Sequence, residues 1–201
     1  MEVLKALDRL VIRERSDSSS SRYVVLTSEG VPVMQARENT GLLHQVLAGR
    51  SRAFHIDIYD MEQHEVIKLR RPYSVSSDKM DVCVCGETVA VVRKEVTFLK
   101  PVLVINDSSD RNVIRVKGPV SITDDCHFEL FTADKKTLGD ISRRCRRVGA
   151  ERDLFTINFP LQLDPRYKAA VIGTCFLILK YSVTGDEGTF GRKTKINANF
   201  N

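Results

Sequence analysis

Apolar and polar residues alternate with period two along much of this chain. Phe54, Ile56 and Ile58 interleave with His55, Asp57 and Tyr59. The same rhythm, or a short apolar run, returns at Tyr23 to Thr27, Val31 to Arg37, Val66 to Leu69, Met80 to Cys85, Thr88 to Arg93, Val102 to Ile105, Val113 to Val116 and Phe128 to Thr132. Successive side chains of a strand point to opposite faces, so each stretch predicts a strand with one face buried. Glu29-Gly30 joins the first two as a tight hairpin, because glycine takes the positive φ that such a turn demands. Short strands at regular spacing predict an antiparallel sandwich or barrel. Phe155, Ile157, Phe159, Leu161 and Leu163 alternate with Thr156, Asn158, Pro160 and Gln162 and predict one more half-buried strand.

Three segments break the rhythm. Ser16 to Ser21 is too polar to bury and reads as a loop. Leu42, Leu43, Val46 and Leu47 have helical spacing, so Glu38 to Arg52 predicts a short surface helix. The third break begins at Asp164-Pro165, a strong helix start: the carboxylate caps free backbone N–H groups, and proline gives up a donor that had no partner. The spacing predicts a helix over Pro165 to Val183, and within it Ala169 to Leu179 is apolar on every side. Such a helix must be enclosed by protein or by lipid. At ~1.5 Å per residue the run covers roughly 16 Å, about half of a ~30 Å hydrocarbon core. That length favours enclosure by the sheet, with membrane insertion as the alternative.

With 201 residues, 42% hydrophobic and 28% charged, the composition is that of a soluble globular protein, and residues 1–184 read as one domain followed by a polar tail, 185–201. Charged residues Glu2, Lys5, Asp8 and Arg9 interrupt the stretch where a signal peptide needs an apolar run, and the five cysteines are an odd number. Both point to an intracellular chain with reduced thiols. The formal charge of +5 is concentrated at Arg143, Arg144, Arg146 and Arg147. Guanidinium forks match phosphate oxygens, so the run is a candidate site for anionic lipid headgroups, nucleic acid or an acidic receptor, against the plainer reading of a solvated charged loop. No direct nucleic-acid motif accompanies it.

Glu151 to Gln162 can be laid on a twelve-residue calcium loop, with Glu151 and Asp153 as ligands, but Thr156 stands at the sixth place where glycine is wanted. Cys83 and Cys85 would share a face of a strand, as small hydrophobes or as acylation sites. Histidines 44, 55, 64 and 127 are scattered, and no nucleophile motif or phosphate-cradling glycine loop occurs. Enzymatic chemistry has no support in the sequence.

Several blocks then occur in a telling order: Leu7 to Ile12, Phe54 to Asp60, Glu65 to Pro72, Lys117-Gly118-Pro119, Gly139 to Ser142, Asn158 to Leu161 and, most specific, Lys168 to Ile178. Together they resemble the phospholipid scramblase family over most of the chain. The resemblance implies a mainly β, tubby-like architecture: a closed antiparallel barrel around a central hydrophobic C-terminal α-helix, with Ala169, Ile172, Gly173, Phe176 and Leu179 filling the barrel. A rival account of the same family makes this helix a membrane span. The implied activity is calcium-activated, ATP-independent, bidirectional movement of phospholipids between leaflets, a transport without bond chemistry and so without catalytic residues. Membrane phospholipids at the cytoplasmic face of the plasma membrane are the implied partners. Related tubby proteins bind phosphoinositides, and scramblase-like proteins have been linked to nuclear import through a basic segment matching Gly139 to Gly149. The family's calcium segment matches Glu151 to Gln162, and its acylation cluster matches a stretch that keeps Cys83 and Cys85. The family's proline-rich N-terminal extension has no counterpart in this sequence.

Overall fold

A computed structural model describes residues 1–15, 23–38, 53–72, 79–95, 102–119, 125–148 and 151–183, the side chains of 145–148, 182 and 183 excepted. The expected loop Ser16 to Ser21, all but the first residue of the expected helix Glu38 to Arg52, and the polar tail lie outside them. The elements are α1 (Glu2–Lys5), β1 (Arg9–Glu14), β2 (Tyr23–Thr27), β3 (Pro32–Glu38), β4 (Phe54–Asp60), β5 (Glu65–Arg71), β6 (Lys79–Val84), β7 (Glu87–Glu95), β8 (Val102–Asp107), β9 (Asn112–Lys117), β10 (Asp125–Thr132), β11 (Thr137–Val148), β12 (Glu151–Asn158) and α2 (Pro165–Val183). Each strand pairs with its neighbour in sequence, and β12 returns to β1, closing the barrel. Every pairing is antiparallel.

Period-two patterning becomes an inside and an outside. In β6, Met80, Val82 and Val84 are buried while Lys79, Asp81 and Cys83 are half-exposed. Closure leaves no sheet edge to pair with another chain. The two ends of the barrel differ. At one end, here the turn end, β2–β3, β4–β5, β8–β9 and β10–β11 are joined by hairpins built to one recipe. The last strand residue is Thr27, Asp60, Asp107 or Thr132; its carbonyl accepts the N–H three residues on, and its own N–H donates to the carbonyl four residues on. Its side-chain oxygen accepts from the turn backbone as well, from Glu62 and His64 at Asp60 and from Ser109 and Arg111 at Asp107. The residue before re-entry has positive φ: Gly30, Gln63, Asp110 and Lys135. The β6–β7 turn is tighter, with Cys85 and Gly86 at φ 49° and 88°, the two-residue form whose twist suits paired strands. The remaining connections leave from the opposite end, here the loop end.

Helix α2 enters at the turn end. Asp164 accepts the Arg166 N–H on its side chain at 2.9 Å and the Tyr167 and Lys168 N–H groups on its carbonyl. Arg166 also clasps the carboxylate, which holds its pKa below the usual range. Every residue from Lys168 to Leu179 is buried. Phe176 packs edge-on against Tyr23 of β2, ring centres 5.3 Å apart. Gly173 lets the helix approach the wall: a Cβ there would lie 2.8 Å from Leu69, 3.1 Å from Met80 and 3.5 Å from Val82. The helix bounds match expectation, and the sheet encloses it. No helix among the described residues is long and apolar enough to cross a membrane.

Strands β1 and β11 were not expected from patterning, and they are the two that flank β12. The arginine run, one reading of which was a charged loop, is the second half of β11. Strand β12 ends at Asn158, so the alternation through Phe159, Leu161 and Leu163 is not strand. Phe159 is buried, its N–H held by the Asp8 carbonyl, while Leu161 is exposed in the turn that leads to α2. Likewise the strand expected to reach Cys85 stops at Val84.

Candidate functional site: the loop-end mouth

The four arginines of β11 do not form one outward patch. Arg143 stands opposite Cys126 and Phe155 in the two flanking strands, on the inward face, and is only 4% exposed. Arg144 is exposed, 3.8 Å from Asp125. An irregularity in the β11–β12 register falls between Arg143 and Arg146, after which Arg146 stands opposite Asp153 and Arg147 opposite Arg152. A strand alternates its faces, so Arg143 is turned inward and Arg144 outward.

The candidate calcium ligands are already engaged. Arg13 of β1 donates to Asp153 Oδ1 at 2.5 Å and to Glu151 Oε2 at 3.2 Å, and the hydrogen bond to Asp153 raises the Arg13 pKa. Arg15 lies 4.0 Å from Glu151. Calcium takes six to eight oxygen ligands, yet here a guanidinium fills the space between two carboxylates. No group of three metal-ligating side chains occurs among the described residues. As arranged, Glu151 and Asp153 do not fit a calcium centre.

Cys83 and Cys85 do not share a strand face. Cys83 lies on the outer face of β6 with its Sγ 3.4 Å from Thr88 Oγ1, and Cys85 is exposed in the turn. On the outer face of β10–β11, His127 Nδ1 lies 3.2 Å from Ser142 Oγ and 3.9 Å from Asp140. Serine and carboxylate meet the same ring nitrogen, whereas a nucleophilic triad needs them on opposite nitrogens. Asn158 holds Asp140 from the far side.

What the barrel does assemble is a cationic, aromatic mouth at the loop end. Inward positions of β5 run Ile67, Leu69, Arg71, those of β7 run Ala90, Val92, Lys94, and those of β3 run Met34, Ala36, Glu38. Each apolar column thus ends in a charge one step past the core. Arg71 lies over the Tyr181 ring at 5.6 Å and the Phe54 ring at 5.9 Å, Lys94 over Tyr181 at 5.7 Å, and Lys180 over Phe54 at 5.8 Å. Lys180 also pairs with Glu38. These residues were not singled out from sequence. Their signal was an inward-parity cation at the end of an apolar alternation, and only the topology brings the separate columns together.

The family model for Scramblase matches residues 18–181. Phospholipid scramblase 1 of Mus musculus is 29% identical, covering 93% of this chain and 65% of that protein. Phospholipid scramblase 2 of Bos taurus is 29% identical, over 89% of this chain and 69% of its own length. For phospholipid scramblase family member 5 of Homo sapiens the identity is 26%, over 88% and 74%. The chain thus spans about 65% of the length of the scramblase 1 relatives it matches. A crystal structure of a protein from Arabidopsis thaliana shares the fold, with a TM-score of 0.54 at 12% identity over 87% of this chain and 93% of that one. The closed barrel around a C-terminal helix is the tubby-like fold, and the chain belongs to the scramblase family.

Proposed function

We propose that the protein moves phospholipids between membrane leaflets, bidirectionally and without ATP, at the cytoplasmic face of the plasma membrane. The observation that carries this reading is the family match across residues 18–181, which includes strands β2 to β12 and nearly all of the central helix. Scrambling breaks no covalent bond, so no catalytic group is required. It must lower the cost of taking a polar headgroup through ~30 Å of hydrocarbon. With α2 sealed inside, the path runs along the outer wall, where polar side chains alternate with the buried ones.

Dithionite bleaching of labelled lipid in reconstituted liposomes tests the activity. The expected result is a gain in accessible inner-leaflet probe at high protein loading; no gain removes the reading. Calcium belongs in the same assay as a separate arm, since activation by it through Glu151 and Asp153 requires displacement of Arg13. A second reading is favoured by the sealed helix, which offers no apolar surface of membrane length. In it the protein binds anionic phospholipid, or serves as a nuclear adaptor recognised by an import receptor, and never moves lipid. Vesicle binding without bleaching selects that reading.

A further inference from the structure

We infer that His55, Asp57 and Arg70 form a proton-operated switch on the outer wall of the barrel: neutral His55 holds Arg70, and protonated His55 releases Arg70 and takes Asp57 instead. The inference goes beyond the lipid reading and stands whether or not phospholipid passes along that wall.

Strand parity places the three groups. Ile56 and Ile58 of β4 are fully buried inside the barrel, so His55, Asp57 and Tyr59 point outward. Arg70 of β5 stands directly opposite His55, and Lys68 directly opposite Asp57. The Arg70 Nε–H donates to His55 Nε2 at 3.2 Å. A guanidinium has donors and no acceptor. Nε2 therefore carries the lone pair, and the single proton of the neutral ring sits on Nδ1.

Asp57 is the anomaly. It points outward, yet it is only 8% exposed, and its Oδ1 is buried with no hydrogen-bond partner. The cations opposite it are engaged elsewhere. Lys68 pairs with Glu65 at 2.8 Å, while Arg37 of β3 donates to Gln63 at 2.6 Å and lies over the Tyr59 ring. A buried acceptor without a donor is a standing cost. His55 Nε2 lies 3.8 Å from that oxygen, beyond hydrogen-bond reach and with its lone pair given to Arg70.

Protonation reverses both relations at one atom. The proton enters at Nε2, which removes the acceptor of Arg70 and sets two cations side by side. The new N–H has the orphaned Oδ1 within a small turn of the ring. Imidazole is the side chain whose charge ordinarily changes between pH 5 and 8. Arg70 and Lys68 from β5 and Arg37 from β3 oppose the added charge, Asp57 on β4 favours it, and Asp81 of β6, opposite Arg70, faces the released guanidinium. A plain cross-strand contact would explain the bond between His55 and Arg70. It would not explain why a buried carboxylate beside that bond is left without a donor.

The test is nitrogen NMR of the full chain between about pH 8 and pH 5, following the imidazole nitrogens and the arginine Nε–H groups, with His55→Gln and Arg70→Gln assigning the two sets of signals. At the upper pH the His55 ring is expected to be protonated at Nδ1 and bare at Nε2. On acidification the Arg70 Nε–H signal should shift, and its exchange with water quicken, at the His55 midpoint. Asp57→Asn removes the attraction and should weaken proton binding at His55 roughly tenfold, whereas Arg70→Gln should strengthen it. Lys136→Gln, in the β10–β11 turn, should leave the midpoint where it is. Thermal melts confirm that each variant is folded. A ring protonated at Nε2 at the upper pH, an Arg70 signal indifferent to the His55 titration, or a midpoint unmoved in Asp57→Asn overturns the inference.

Discussion

The ammonium of Lys168 donates a 2.8 Å hydrogen bond to the carbonyl of Leu4, 164 residues away in the chain. Its other protons go to Leu7 at 2.6 Å and Leu161 at 2.7 Å, and the Phe159 ring lies 5.1 Å away. A lysine that is 0% exposed thus has all three donors satisfied, which is the condition for burying a charge at acceptable cost. It ties the N-terminal segment, the turn before α2 and the first turn of α2 into one closure of the turn end. Burial holds its pKa below the ordinary lysine range.

Removing that ammonium leaves the carbonyls of Leu4, Leu7 and Leu161 without this donor, the Leu4 bond being fully buried. Lys168→Met keeps the aliphatic stem and is expected to cost roughly 3–5 kcal/mol in denaturant unfolding. Deleting residues 1–7 in the same background should add much less than it does in the wild type, because both changes break one connection. Additive losses would show that the N-terminal segment and Lys168 act independently.

Two glycines should respond differently to alanine. At Gly173 the new Cβ meets the ends of Leu69 and Met80, side chains that can shift, so a loss of about 1–3 kcal/mol is expected. At Gly139 it would fall 2.1 Å from the Asn158 carbonyl oxygen and 3.1 Å from Phe159 Cα. Backbone cannot yield without parting β11 from β12, so Gly139→Ala is the more damaging change. Calorimetric melting of the two variants checks the order, and a milder Gly139→Ala would contradict it.

Arg13 makes its own prediction about calcium. In the wild type the ion must displace a guanidinium from Asp153 and Glu151, so millimolar calcium should leave the melting temperature unchanged. Arg13→Gln removes the guanidinium shared by both carboxylates, leaving Arg15 near Glu151, and should produce a calcium-dependent rise, small because two carboxylates make a sparse cage. A rise in the wild type larger than in the variant would mean that calcium binds elsewhere.

Acid sensitivity should trace to the hairpins. Backbone N–H groups and Arg111 hold the Asp107 pKa below its ordinary value, and Asp60 is lowered by the backbone N–H groups of His64 and Glu62. Between the lowered folded value and the ordinary carboxylate value near 3.9, the unfolded chain binds more protons. Stability from these groups is therefore complete above about pH 4 and lost as pH falls through the folded value. Asp107→Asn keeps an acceptor for the turn but cannot titrate. It should be less stable at pH 7 and show a shallower loss on acidification; parallel curves would contradict the assignment.

Most of the barrel was legible because burial and strand geometry agree: in β4 and β6, where Ile, Val and Met alternate with polar residues, a strand formed with its apolar residues inward. Helix α2 was legible to the residue, since Asp164-Pro165 starts it and an all-round apolar sequence has no other place to go. Strand β11 was hidden because its inward positions are Gly139, Ile141 and Arg143, which carry little apolar signal. Beyond Asn158 the alternation misled, because Phe159 is buried by Asp8 and Lys168 in a turn and not by strand neighbours. Of the candidate site, the arginine run was visible but the inward turn of Arg143 beside an exposed Arg144 was not, because strand β11 itself was hidden. The mouth was invisible for a different reason: its cations come from β5, β7 and α2, and no local pattern encodes closure.

Enclosure of α2 is the claim on which the architecture and the reading of the mouth depend. Native-state hydrogen exchange of the Ile172 and Phe176 amides, in water without detergent or lipid and across a denaturant series, addresses it most directly. The enclosed helix predicts that both amides exchange only through global unfolding, with the free energy and denaturant slope of the whole barrel. Exchange through small openings, insensitive to denaturant and far faster than unfolding, would contradict it.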